Sequence, residues 1–311
     1  MTDFLTQVQT LGLPVDIDRI LLQEPLSRYS TFHVGGPADY LLDVSSESEI
    51  LSMLSLARAC DIPVTVIGNG SNLLVSDSGV RGLVLRLSSS YNEIHLDPPF
   101  VFAQAGASLS TLSSLTIKSG LAGMAEISGI PGTIGGAVYM NAGAFGQEIC
   151  NLFFSCRVYD PRTQEIHTLT REDVAFSYRS SSLADAGYVV LEVTLRLDTG
   201  DPNTLARRAR EIANSRQESQ PLEAFSAGST FKRPQGAFAA QLIDRCGLKG
   251  LSVGDAQVSP KHAGFIVNRG HASASEIYSL MQTVHRRVLE QTGVSLEPEV
   301  HFLGDFPPFD E

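Results

Sequence analysis

The chain has 311 residues, of which 43% are hydrophobic and 18% charged, and its formal net charge is −11. This length and apolar content support a large buried core and about two domains, and they exclude a disordered chain. The acidic balance speaks against sequence-independent binding of DNA or RNA, which needs a basic footprint, but it leaves room for a small anionic ligand in a locally basic site.

The opening MTDFLTQVQTLGLPVDIDRI carries Asp where a secretory signal has a basic region, and no apolar run reaches 18 residues. Neither a signal peptide nor a membrane span is expected, and a cytoplasmic location follows. Cys60, Cys150, Cys156 and Cys246 are scattered, with no CxxC and no His at zinc-like spacing. Reduced thiols and no metal site are expected.

In chain order, Ser46 with Glu49 reads as a capping box opening a helix over 46–60, whose apolar face is Ile50, Leu51, Leu54 and Ala57. Residues 63–67 (PVTVI) read as a buried strand emptying into a glycine loop. Residues 82–87 and 100–105 read as strands, 109–118 as a helix, and 188–197 as a strong strand. The polar stretch 198–203 marks the main boundary, with a softer one near the serines at 88–90. Beyond it, 204–218, 237–245 and 274–291 read as helices, the last opened by Ser273 with Glu276; 264–268 and 300–303 read as strands. The class is α+β rather than a regular βαβ alternation.

Two segments stand apart. In IGNGSNLLV at 67–75, Gly68 and Gly70 permit positive φ, so successive backbone N–H groups can converge on an anion, with Asn69, Ser71, Asn72 and Leu73 beside them. It is neither GxGxxG nor a Walker A loop, and an ordinary strand–turn–strand connection stays open. The second is GIPGTIGGAVYMNAGAFG at 129–146; eight of the 27 glycines fall between Gly120 and Gly146. Fixing so much freedom is costly, so such a stretch serves close approach to a ligand or to another backbone. A pyrophosphate held between the two loops would explain both.

These segments, with STFHVGG at 30–36, closely resemble the FAD-binding region of the UDP-N-acetylenolpyruvoylglucosamine reductase family. The likeness continues, in the family's order, through FSYRS at 176–180, AGSTFK at 227–232, LID at 242–244, GLKG at 247–250, HAGFIVN at 262–268 and LEPEV at 296–300. It covers nearly the whole chain. The resemblance implies a two-part FAD-binding domain of the p-cresol methylhydroxylase/vanillyl-alcohol oxidase type over 1–200, with parts 1–88 and 89–200. An α+β substrate-binding domain would follow over 201–311. It further implies FAD as cofactor, NADPH as hydride donor, a UDP-sugar substrate reduced to UDP-N-acetylmuramate for peptidoglycan, and a monomer. Arg179 and Ser229 lie 50 residues apart, which resembles the family type lacking a Tyr-bearing insertion.

The resemblance also implies roles. Arg179 would hold the substrate carboxylate and stabilise an enolate-like charge, Ser229 would give a proton to carbon, and Glu299 would assist as a protonated acid. Read from the residues alone, Arg179 could equally pair with Asp173 or Glu172 at the surface, Ser229 could be a turn or cap residue, and Glu297 lies on the same strand face as Glu299. Gly68–Leu73, Gly132, Thr133, Gly135, Gly136 and Asn141 would hold FAD. The 205–249 region has 8 basic and 4 acidic residues. There Lys232, Arg233 and Lys249 would meet the substrate diphosphate or NADPH, while Arg207, Arg208 and Arg210 read as a solvated helix face. Arg233 stands where relatives commonly have Asn. His262 reads either as structural or as a ligand contact. Two further readings remain: another flavoprotein, such as an oxidase, on the same scaffold, and a non-catalytic nucleotide-binding module.

Overall fold

The computed structural model describes residues 4–309. It divides into two compact units, each assembled from separate stretches of chain: 1–22, 40–69 and 82–214 in the first, and 23–39, 70–81 and 215–311 in the second. The division therefore differs from a contiguous boundary near 200. The segment 202–214 belongs with the first unit, and two N-terminal segments belong with the second. The physical reason lies in the cores. Phe32, Val34 and Leu74 are buried in one cluster with Ile243, Ile277 and Val284, so the hydrophobic effect recruits those early segments to the later chain.

In the first unit, a five-stranded antiparallel sheet has the order Glu165–Thr170, Phe153–Asp160, Val189–Arg196, Phe100–Gln104, Ile94–Asp97. Its two longest strands, Phe153–Asp160 and Val189–Arg196, are buried almost throughout; Val193 pairs with Ala103 and with Cys156, and all three are buried. Burial also pushes the Cys156 thiol up to about 12. The helix Leu109–Lys118 starts where Ser108 accepts the N–H of Thr111, as its sequence demands. The strand Val64–Ile67 pairs in parallel with Val80–Arg86 and lies at the sheet edge, half exposed, rather than buried as expected. A single core cluster joins both parts of this unit.

The helix Glu47–Ala59 corrects one detail. Ser46 accepts from Glu49 N–H, but the Glu49 carboxylate turns to the Ser45 N–H at 2.8 Å and to Arg19 instead of closing the box. Burial alone would raise its pKa; Arg19 and the Ser45 bonds outweigh that, so the net shift is downward. A carboxylate with a depressed folded pKa stabilises above its unfolded value and loses that contribution as pH falls through the folded one. Glu49→Gln should therefore cost about 2 kcal/mol in urea denaturation at pH 7. The difference from the parent should shrink as the pH is lowered below the ordinary carboxylate range; a constant difference down to pH 2 would refute the charge argument.

In the second unit, the helix Ala274–Thr292 packs on a three-stranded sheet of Ser252–Val253, Ala256–Val258 and Ile266–Asn268. Its buried stripe is Ile277, Leu280, Met281, Val284 and Val288, at helical spacing, and the Ser273–Glu276 capping box is complete. The Asp77 carboxylate also accepts the N–H groups of Ala274 and Ser275, at 2.8 and 2.9 Å, an anion placed at the positive helix end. The strand Leu73–Val75, which leaves the glycine loop, pairs in parallel with His301–Leu303.

Candidate active site

In the first unit the two glycine loops touch. A Cβ on Gly68 would come within 2.5 Å of Thr133 Oγ1, so only glycine permits the approach. Thr133 is the N-cap of the short helix Ile134–Tyr139, where its hydroxyl accepts from Gly136 N–H. The N–H groups of Gly68, Asn69, Gly132 and Thr133 have no acceptor among the described residues. Two of the expected donors are engaged within the protein. Gly135 N–H donates to Ala105 O at 2.9 Å, and a Cβ there would sit 2.8 Å from Ala105 Cβ, so Gly135 serves helix–strand packing. The N–H of Gly136 is likewise spent on its own helix cap.

Asn141 is buried, and its amide is engaged within the protein. The NH2 donates to Ser177 O at 2.8 Å and to Glu148, and the oxygen accepts from Cys150 N–H. It thereby positions the hairpin formed by Phe176–Ser177 and Ser180–Ser181, whose two-residue turn carries Arg179. Arg179 has φ +56°, an unusual conformation for a branched-off long side chain and one held only by its surroundings. Its guanidinium donates to Gly143 O at 3.0 Å and lies 4.8 Å from the centre of the Tyr178 ring. The Asp173 carboxylate, once a candidate partner, is taken by Thr170.

In the second unit, three expected site residues converge. Glu299 N–H donates to Thr230 O at 2.9 Å, beside Ser229, and Phe231 bridges Pro298. The Asn72 side-chain amide donates to Glu299 O at 3.0 Å, and Asn72 O accepts from His301 N–H at 2.9 Å. Ser229 follows Gly228, whose φ is +79°, and its hydroxyl has no partner among the described residues. Exposure separates the two glutamates: the Glu297 side chain is 70% exposed and pairs with Lys232, whereas Glu299 is half-buried. Gly70 has φ +62°, and its carbonyl accepts from Thr31 N–H. The N–H groups of Gly70, Ser71 and Asn72 have no acceptor among the described residues, and the buried Thr31 hydroxyl has none either.

Comparison with known proteins decides the family. A profile for the UDP-N-acetylenolpyruvoylglucosamine reductase C-terminal domain matches residues 220–303, and one for an FAD binding domain matches 38–169. The reductase of Agathobacter rectalis is 44% identical over 299 residues, covering 92% of this chain and 95% of that protein. That of Clostridium tetani is 42% identical, covering 97% of both. The chain belongs to the UDP-N-acetylenolpyruvoylglucosamine reductase family. The crystal structure of the Thermus caldophilus reductase matches with a TM-score of 0.79 at 37% identity, over 92% of this chain and 99% of that one. The expected fold class, an FAD-binding domain with a C-terminal α+β domain, is thereby borne out.

For a reductase of this family, the donor set fits the cofactor. The uncommitted N–H groups of Gly68, Asn69, Gly132 and Thr133, together with the close approach that Gly68 allows, form a cradle suited to the diphosphate of FAD. No group of three or more His, Cys, Asp or Glu side chains suited to a metal occurs among the described residues, and no described helix is long and apolar enough to cross a membrane. The four cysteines are free thiols.

The basic candidates of the reductase's C-terminal domain are partnered within the protein. Lys232 pairs with Glu297, Lys249 with Asp244 at 2.9 Å, and Arg233 lies 3.9 Å from the centre of the Phe238 ring. The carboxylates are exposed, so these pairs are weak and a phosphate can displace them. Arg208 pairs with Glu126, in keeping with a surface helix. His262 Nδ1 accepts Gly264 N–H, and burial lowers its pKa. The residue that sequence reasoning passed over is Arg216, in the last turn of the helix Pro202–Ser219. Burial lowers its pKa, and it has no side-chain partner among the described residues. One turn on, the buried Gln220 Oε1 also lacks one. A half-buried guanidinium without an anion is expensive unless a ligand supplies the charge. Only its place one turn before Gln220-Pro221 sets it apart in the sequence.

Proposed function

We propose that this chain is an NADPH-dependent flavoenzyme that reduces the enolpyruvyl group of UDP-N-acetylglucosamine enolpyruvate to UDP-N-acetylmuramate, a cytoplasmic step of peptidoglycan synthesis performed by a monomer. The observation that carries this reading is the meeting of the Ser229 and Glu299 segments beside the flavin-loop residue Asn72, in a chain sharing 44% identity with a reductase of that name. Residues up to about 200 would supply the FAD site and the rest the sugar-nucleotide site.

The reaction adds a hydride to one alkene carbon and a proton to the other. Bound FAD, reduced by NADPH, would supply the hydride. The Arg179 fork would grip the substrate carboxylate and stabilise the negative charge that develops toward it. The uncommitted Ser229 hydroxyl would deliver the proton and be recharged through water; a serine is a weak acid, so placement carries its effect. Glu299, half-buried, would act as a neutral acid donating a hydrogen bond to the same developing charge. Lys232, Arg233 and Lys249 would take the diphosphate. Arg216 would meet a second substrate anion, and Arg216→Ala should raise KM for the enolpyruvyl sugar about tenfold or more with little effect on flavin reduction; an unchanged KM would remove it from the site.

The deciding assay is NADPH consumption by the yellow holoenzyme with and without UDP-N-acetylglucosamine enolpyruvate. Substrate-dependent consumption yielding UDP-N-acetylmuramate is expected. A colourless protein that ignores FAD would defeat the reading, as would oxidation of a hydroxylated donor by oxygen with no reaction on the enolpyruvyl sugar, or tight binding of both ligands without turnover.

A further inference from the structure

Glu299 does not belong to a regular strand; the strand His301–Leu303 begins two residues later. Its backbone must therefore be held by other means. Two backbone bonds do this. The N–H of Glu299 donates to Thr230 O at 2.9 Å, and its C=O accepts from the Asn72 side chain at 3.0 Å. Asn72 is itself fixed, because its own carbonyl takes the N–H of His301 at 2.9 Å and the next residue opens the parallel pair Leu73 with His301. The peptide on either side of Glu299 is thus held, on one side by the residue after Ser229 and on the other by the glycine loop.

The geometry points to Asn72 as a positioning residue for Glu299, tying the acid to the loop that carries Gly70 and Ser71. Sequence reasoning gave Asn72 to the cofactor, but its amide faces a carbonyl and must present NH2 to it, so that donor is engaged by the Glu299 peptide. This inference rests on the role of Glu299 proposed above. Coupling of this kind is reciprocal: whatever orders the loop orders Glu299, and ligands that draw on Glu299 tighten the loop.

Asn72→Asp keeps the shape but places an acceptor against an acceptor; Asn72→Ala removes the group and serves where the first variant folds poorly. Each is compared with Glu299→Gln and with the double variants, as holoenzyme at saturating FAD. Rapid mixing follows flavin reduction by NADPH and flavin reoxidation by UDP-N-acetylglucosamine enolpyruvate as separate steps. The reoxidation step is expected to slow about 10- to 100-fold relative to the reduction step, the cost of a misplaced catalytic group. The double variant is expected to be no slower than Glu299→Gln alone, because a positioning residue has nothing left to position. Equal slowing of both steps, no slowing beyond that cured by added FAD, or multiplicative losses in the double variant would overturn the inference while leaving the role of Glu299 intact. A Glu299→Gln enzyme with parental reoxidation would instead overturn the proposed role, and the inference with it.

Discussion

Ser229→Ala is expected to leave reduction of the flavin by NADPH near its parental rate and to slow reoxidation by the enolpyruvyl sugar by about 10²- to 10⁴-fold, the usual worth of a positioned proton donor. The expectation depends on how the hydroxyl is held. Ser229 Oγ has no partner among the described residues, so its removal leaves no orphaned group inside the protein. The fold of the turn is carried by its neighbours. Gly228 takes the left-handed conformation, Thr230 N–H donates to Gly264 O at 2.8 Å, and Thr230 Oγ1 accepts Ile266 N–H at 3.0 Å. Thermal stability should thus change by no more than about 0.5 kcal/mol. A large loss of stability would show that the hydroxyl has a structural task, and parental rates in both half-reactions would show that it is not the proton donor.

How far the sequence reached depended on how local each cause was. The helix Leu109–Lys118 has the bounds that its Ser108 cap and apolar spacing dictate, and Ala274–Thr292 follows the Ser273–Glu276 box to within one residue. These signals lie within one helical turn. The strands Phe153–Asp160 and Glu165–Thr170 were not legible, because FFSCRVYD alternates weakly and its identity as a strand is decided by pairing with Val189–Arg196. The same holds for the second unit. Phe32, Leu74 and Ile277 share a core although nothing in their own neighbourhoods says so. In the candidate site, the turn around Gly70 was readable as a turn. That Asn72 would hold the Glu299 peptide across more than 200 residues of chain was not, nor that Gly135 would pack against Ala105 and Asn141 would hold a hairpin. Arg216 escaped notice because its half-burial is a tertiary fact, which a helix also carrying Arg207, Arg208 and Arg210 does not announce.

Gly68→Ala and Gly70→Ala are expected to fail in different ways, and the contrast tests the cradle. At Gly68 the added methyl meets Thr133 Oγ1 at 2.5 Å and Thr133 Cγ2 at 3.2 Å. Thr133 turns aside only by uncapping the helix Ile134–Tyr139, which moves the two loops apart. The protein should fold, with a loss of about 1 kcal/mol for the cap, but bind FAD about 100-fold more weakly, because the N–H groups of Gly68 and Thr133 no longer converge on one diphosphate. At Gly70 the methyl runs into the Tyr29 carbonyl and comes to 3.0 Å of Ser30 Cα, and φ is +62°. The obstacle is backbone, which has no rotamer to change, and the left-handed strain adds about 1–2 kcal/mol. Here the loss should be of folding itself, with residues 29–36 displaced from the core they share with Leu74. Gly146→Ala is the control: φ is +85° but nothing lies within 4 Å of the new methyl, so strain acts without a clash and FAD binding should hold. Denaturation curves and flavin fluorescence on the three variants separate these outcomes. A Gly68→Ala protein that binds FAD with parental affinity would show that the approach of the two loops is packing and not a cofactor site.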